Sequence, residues 1–246
     1  MELDVTMLSK DAAPLVRALV EPFTSRADAL GLAAAVAWGF GAAPDFRKGW
    51  DGVEVALVFT GTPPLTVEAL LGAGRLPAGK RAAFAPPLIL TLEEIRASLD
   101  VYPVEFLAIR ETGRVVAGAL DLAETFPVAA ADLRSQAERE WRGILFHARA
   151  ALLGSGGAPR DLAEIAVSGV DRLLDISRAT AVALGGAAAG GIEPVLAALE
   201  EASGLDPAPL RELLALRRVP KPRLEAGAFG QLITWIEAVI RRVDAV

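Results

Sequence analysis

Trp38-Gly39-Phe40-Gly41, the mixed segment from Ala42 to Trp50, and Asp51-Gly52-Val53-Glu54-Val55-Ala56-Leu57-Val58-Phe59 form the stretch that decides the fold. Leu32 to Trp38 is a short apolar run suited to a buried strand. Val53 to Phe59 is apolar and β-branched, a strong strand signal, and Thr60-Gly61-Thr62-Pro63-Pro64 ends it. Between the two lie a glycine turn and a loop carrying Arg47 and Lys48. Acidic residues, Asp51 and Glu54, mark the start of the second strand. Residues i and i+2 of a strand share a face, so a regular strand here turns Gly52 and Glu54 one way and Asp51 the other.

Outward from this stretch, Asp11 to Leu30 is predicted as a helix with Leu15, Leu19 and Phe23 on one side; Pro14 stands near its start and Pro22 kinks or ends it. Residues 65 to 87 give no clear signal. Pro87 to Leu90 suits a short strand. Thr91-Leu92-Glu93-Glu94 has the capping-box pattern, in which the Thr hydroxyl accepts from the N3 amide and Glu94 reaches back, so a helix from Leu92 to Leu99 follows. Val101 to Ile109 reads as an edge strand despite Pro103, with Arg114 to Ala117 pairing beside it after a turn at Thr112-Gly113.

From Ala129 the period changes. Leu133, Ala137, Trp141, Ile144, Leu145, Ala148 and Leu152 recur at helical spacing, and Gly154 to Gly157 stops that helix. Further helices are expected over Asp161 to Leu184, Ile192 to Ala202, from Asp206-Pro207 onward, and over Leu224 to Val243. The Gly-rich run 185 to 191 links the second to the third, and Gly72-Ala73-Gly74 is expected as loop. The expected fold class is α+β: a small mixed sheet with helices over 1–127, then an antiparallel helical bundle over 128–246.

Composition narrows the function classes. The chain of 246 residues has no cysteine, which excludes disulfides, thiolate metal sites and a cysteine nucleophile. Zinc sites need Cys or several His and are excluded in practice; a Ser-His-Asp triad would have to use His147, the single histidine, and no Gly-x-Ser-x-Gly elbow is present. No Walker A sequence and no Gly-x-Gly-x-x-Gly after a strand is present. Net charge is −6 with pI near 5.0, against a broad nucleic-acid coat, which depends on Lys and Arg neutralising phosphates. The basic groups Arg217-Arg218, Lys221, Arg223 and Arg241-Arg242 fall near expected helix ends, where cations complement the helix dipole. Mean hydropathy is +0.41, yet the uncharged run Ala29 to Pro44 falls short of the ~20 apolar residues of a membrane span. Met1-Glu2-Leu3-Asp4 lacks the positive start of a signal peptide. A cytoplasmic protein without membrane association is the expectation.

The order strand, glycine turn, acid-bearing strand resembles the nucleotidyltransferase superfamily, the polymerase-beta-like fold. The segments Leu92 to Leu107 and Leu133 to Glu140 look like uncharacterised bacterial nucleotidyltransferase-like proteins with a helical C-terminal half, and the succession of α/β part and bundle is similar to kanamycin nucleotidyltransferase and its relatives. The resemblance implies a first strand ending in Gly-Ser or a similar pair, Asp-x-Asp on the next strand and a third carboxylate later. Two carboxylates on one strand face hold two magnesium ions about 3.5–4 Å apart, while the glycine turn lets amides approach phosphates. Carried over, Gly39, Phe40 and Gly41 form the nucleotide-binding turn, with Phe40 where a small hydroxyl residue is usual. Gly52 and Glu54 take the paired-acid positions, so one ligand is missing. Glu105 is the candidate third carboxylate; Asp51, Glu54 and Glu105 are the candidate catalytic acids, with Glu54 and Glu105 as metal ligands if magnesium is used.

The expectation is a nucleotidyltransferase-like protein with a degenerate metal site, a binding or scaffold subunit with weak affinity for a nucleoside triphosphate. The alternatives are an active enzyme moving a nucleotidyl group to a small molecule or protein, and an interaction module that forms an oligomer through the apolar side of Leu224 to Val243. Arg142 and His147 satisfy the Arg-x4-His spacing of HEPN ribonucleases, but five residues on a helix separate them by about 140°, poor for joint action.

Overall fold

The computed structural model describes residues 1–44, 46, 51–73, 85–188 and 190–245. The loop cations Arg47 and Lys48, and Gly74, lie outside the described residues. The fold is α+β and divides into two compact units: Met1–Leu99 with Phe106–Pro127, and Asp100–Glu105 with Val128–Val246.

In the first unit, β1 (Leu32–Trp38) is the second-to-last strand of a four-stranded mixed sheet ordered β3-β2-β1-β4. β2 (Glu54–Phe59) runs antiparallel to it, pairing Trp38 with Glu54 and Ala35 with Leu57. β4 (Arg114–Gly118) pairs antiparallel on its other side, and β3 (Leu88–Thr91) runs parallel to β2. Alanines and Val36 keep β1 thin while covering both faces: every residue from Ala34 to Trp38 is buried. The helices α1 (Ala13–Thr24) and α2 (Ala27–Leu30) supply Leu15, Val16, Leu19, Val20 and Leu30 to the same core as Leu57 and Phe59. The expected single helix over 11–30 is thus two. Pro22 stays inside α1, which ends two residues later, and Gly31 in the left-handed region closes α2.

The capping box at the junction of β3 and α4 (Leu92–Ala97) is formed: Glu94 N donates to Thr91 Oγ1 at 3.1 Å and Thr91 N to Glu94 Oε2 at 2.7 Å. The segment without a sequence signal holds α3 (Val67–Ala73), so Gly72 and Ala73 close a helix rather than sit in a loop.

One expected strand is a helix. Residues 101–109 contribute to α5 (Pro103–Thr112), and β4 pairs with β1 instead. Pro103 is the first helical residue, where its fixed φ and missing N–H are no handicap. Val104, Phe106, Leu107, Ala108 and Ile109 are all buried. Four successive buried residues show no helical period, and such a short apolar run looks like a core strand. The short helix α6 (Leu122–Thr125) follows β4, capped by Asp121 Oδ1, which accepts from Ala123 N and Glu124 N. Phe126 packs on Phe106 with ring centroids 5.2 Å apart.

The second unit is helical. The long helix α7 (Ala130–Gly154) buries Leu133, Ala137, Trp141, Leu145 and Ala148 of the positions its period marked; Ile144 and Leu152 are half-buried. The helix expected over 161–184 breaks at Gly169 into α8 (Pro159–Ser168) and α9 (Val170–Ala183). α10 (Ile192–Ser203), α11 (Ala208–Leu216) and α12 (Ala226–Asp244) complete it. Arg142 with Asp244 and Arg149 with Glu237 set α7 and α12 antiparallel. Trp141 and Trp235 meet edge to face at 5.7 Å, a favoured aromatic geometry. Phe229, Leu232, Trp235, Ile236, Val239, Ile240 and Val243 of α12 are buried, and α12 packs on α7, α8 and α11. The apolar side that suggested an oligomer surface is therefore covered by the chain's own bundle. Among the described residues, no helix is long and apolar enough to cross a membrane.

Candidate functional site

The glycine turn is shaped by the start of β2. Gly39 follows β1 directly and adopts φ +60°, a left-handed conformation that costs a side-chain-bearing residue. A Cβ there would collide with Glu54 Oε2. At Gly41 a Cβ would stand 3.1 Å from Glu54 N and 3.2 Å from Val53 Cα. Gly39 is favoured by its positive φ and Gly41 by the close passage of Val53 and Glu54, and the carboxylate of Glu54 lies against the turn. Gly39–Ala42 forms one 3-10 turn in which Phe40, Gly41 and Ala42 are buried. Phe40 is a core side chain, not a stand-in for a hydroxyl residue. The Gly39 amide donates to Thr112 Oγ1 at 2.9 Å, and that hydroxyl donates to Ala108 O at 2.7 Å. Beside the turn, Trp38 is only 7% exposed, and its Nε1 has no hydrogen-bond partner among the described residues, an unusual state for a buried indole.

The candidate acids are distributed differently from the sequence expectation. β2 begins at Glu54, not at Val53, yet Asp51 and Val53 are bridge residues before it and the alternation runs back through them: Asp51, Val53 and Val55 are buried, Gly52 and Glu54 half-buried. Asp51 is 8% exposed, a buried carboxylate; Glu54 is half-buried. Glu105 is not on a strand. It occupies the first turn of α5 and belongs to the helical unit.

There Glu105 takes part in a charged cluster that sequence reasoning did not find. Gln136 of α7 donates from Nε2 to Glu105 Oε2 at 2.9 Å and to Glu140 Oε1 at 2.7 Å, while its Oε1 accepts the Val104 amide at 2.9 Å. Arg172 of α9 pairs with Glu105 Oε1 at 2.9 Å and with Glu140 through two nitrogens. One turn on, Asp175 pairs with the buried Arg178 at 2.6 Å. Burial opposes the charge of Arg172, but its bonds to Glu140 and the charges of Glu105, Glu140 and Asp175 outweigh this and raise its pKa. Burial pushes the Asp175 carboxyl up, against the pull of Arg178 and Arg172. The helical period of α7 places Gln136 and Glu140 one turn apart on the flank of its apolar stripe. Nothing in the spacing of α9 pointed Arg172 toward them.

These residues do not fit a two-magnesium centre. Gly52 supplies no ligand, and both Glu105 oxygens already accept from Gln136 and Arg172. Among the described residues, no group of three or more His, Asp or Glu side chains is placed to hold a metal. In the Arg-x4-His pair, His147 is exposed. Arg142 is held by Asp244, with both carboxylate oxygens at 2.9 Å, and by Glu138 at 3.2 Å. Glu138 and then Asp244 raise its pKa. Compared with protein-family models and with curated proteins, the chain has no match in either comparison.

Proposed function

We propose that the chain is a nucleotidyltransferase-like protein with a degenerate metal site, a binding or scaffold subunit with weak affinity for a nucleoside triphosphate at the Gly39 turn. The observation that carries this reading is the seating of the Glu54 carboxylate against a left-handed glycine at the end of β1. This is the juxtaposition of turn and strand acid that the resemblance implies. The Trp38 indole beside it, without a hydrogen-bond partner among the described residues, offers a donor for a ligand oxygen. The loss of catalysis is supported by Gly52 at a paired-acid position and by the engagement of Glu105 with Arg172 and Gln136. A cytoplasmic setting belongs to the same proposal; a chain without cysteine is suited to it.

The test is titration calorimetry with ATP, GTP, CTP and UTP, with and without magnesium, beside a nucleotidyl-transfer assay. Weak binding without turnover is expected, reduced at least threefold by Trp38→Phe. Turnover that Glu54→Gln abolishes would replace this reading with the active enzyme. No binding of any of the four would end the nucleotide assignment.

A further inference from the structure

β1 ends at Trp38, and Gly39 turns the chain with φ +60°. Its amide opens the 3-10 turn Gly39–Ala42, where a first-turn N–H has no acceptor inside its own helix. The acceptor comes from Thr112, 73 positions further along: the Gly39 amide donates to Thr112 Oγ1 at 2.9 Å. That hydroxyl has one hydrogen, and it is committed to Ala108 O at 2.7 Å, the back-bond of a helical threonine. One oxygen thus donates into α5 and accepts from the turn, a double role that a hydroxyl fills and an aliphatic side chain cannot. The sheet register puts the hydroxyl there. Arg114, which follows Thr112 and Gly113, is the Cα partner of Ala37 on β1. Gly113 passes so near β1 that a Cβ on it would stand 3.0 Å from Val36 Cγ1. The end of α5, the start of β4 and the end of β1 are therefore fixed together within the first unit.

We infer that Thr112 is a positioning residue for the ligand turn: its hydroxyl fixes the Gly39 peptide and, through it, the seat of the Glu54 carboxylate beside the Trp38 indole. The inference rests on the reading of this turn as a nucleotide site. Trp38 and Glu54 are Cα partners across β1 and β2, and the Glu54 carboxylate occupies the space that a Cβ on Gly39 would take. A rotation of the Gly39 peptide therefore moves the backbone against which that carboxylate rests. The Gly39 N–H is spent on Thr112, so Thr112 acts through the turn and not by touching the ligand. Without the hydroxyl, a half-buried N–H loses its partner, and the cost of leaving it unpaired favours a rearranged turn.

The experiment is NMR on the full chain: amide hydrogen exchange, then titration with ATP, GTP, CTP and UTP in the presence of magnesium, followed by amide shifts. Thr112→Val keeps the shape and removes the hydroxyl; Thr112→Ser keeps the hydroxyl and removes the methyl. The slowest amides of β2 report global opening. In Thr112→Val, Gly39 exchange is expected to accelerate at least fivefold beyond theirs, and the nucleotide that the parent chain binds best should bind at least fivefold more weakly. Thr112→Ser should stay within twofold of the parent chain in both. A Gly39 acceleration equal to that of the β2 amides would overturn the inference, since the hydroxyl would then serve overall stability alone. Binding by Thr112→Val within twofold of the parent chain would overturn it too, as would binding by Thr112→Ser as weak as by Thr112→Val. If the parent chain binds none of the four, the nucleotide reading falls and this inference with it; binding that Thr112→Val leaves intact removes the inference alone. If Thr112→Val does not fold, Thr112→Ala against Thr112→Ser, a pair differing by one oxygen, gives the same comparison.

Discussion

The glycine turn after β1 and the cluster around Arg172 both set polar atoms among buried neighbours, and they do so by opposite means. The turn works by omission: two side chains are missing at Gly39 and Gly41 so that Glu54 and Val53 pass close by. The cluster works by pairing: Glu105, Glu140 and Asp175 are matched by Arg172 and Arg178, with Gln136 linking two of the acids. A site built by omission leaves little room for an added atom, while Trp38 Nε1 has no hydrogen-bond partner among the described residues. A site built by pairing has its acceptors occupied. The contrast explains why the turn is the better candidate for a ligand and the cluster the better candidate for a structural lock.

The largest expected effect is at the turn. Gly39→Val combines a left-handed backbone with a collision against Glu54, and should cost about 3 kcal/mol in urea unfolding. A loss below about 1 kcal/mol would mean that the turn is more plastic than a site built by omission allows. Next is the lock. Breaking a buried pair costs about 3–5 kcal/mol and an exposed one about 0–1. Arg172 is 34% exposed and lies between, so Arg172→Ala should cost about 2 kcal/mol. Stability equal to the parent chain would show that Glu105 and Glu140 are solvated without it.

The two tryptophans sharpen the comparison. Trp141 is buried in the bundle with Nε1 donating to Thr180 Oγ1 at 2.8 Å, whereas Trp38 has no such partner among the described residues. Replacement by Phe should therefore cost about 1 kcal/mol more at Trp141 than at Trp38. Equal losses in thermal unfolding would show that the Trp38 indole is satisfied in solution.

The smallest effect is a slope with pH. Burial raises the folded-state pKa of Asp175 above its ordinary 3.8. The native chain therefore binds this proton more tightly than the unfolded chain does, and the stability linked to it is full below 3.8 and declines as pH rises through the raised value. Melting midpoints of Asp175→Asn, compared with the parent chain across that window, should lack this decline. A parallel pH dependence in both would assign the slope to another group.

The parts legible in the sequence were those with a repeating signal or a local rule. β1 followed from a short apolar run, β2 from an apolar, β-branched one, α7 and α12 from their helical period, and the start of α4 from its capping box. The turn and Glu54 were singled out by the order strand, glycine turn and acid-bearing strand; their contact across an antiparallel pair was not. Residues 103–109 were misread because the near-continuous burial from Phe106 to Ile109 hides the period that separates helix from strand. The break at Gly169 was also missed, since the apolar spacing of α8 runs on into α9.

By itself the sequence determined the α+β class and the change to helices after Pro127, since these depend on propensities and on the period of apolar residues; that Gly39 meets Glu54 was decided by the antiparallel pairing of β1 with β2. Only tertiary structure decided that Glu105 leaves the strand role for the first turn of α5 and is held by Gln136 and Arg172, 31 and 67 positions further along the chain. Pairing at such separation is set by how α7 and α9 pack, and no local spacing encodes it.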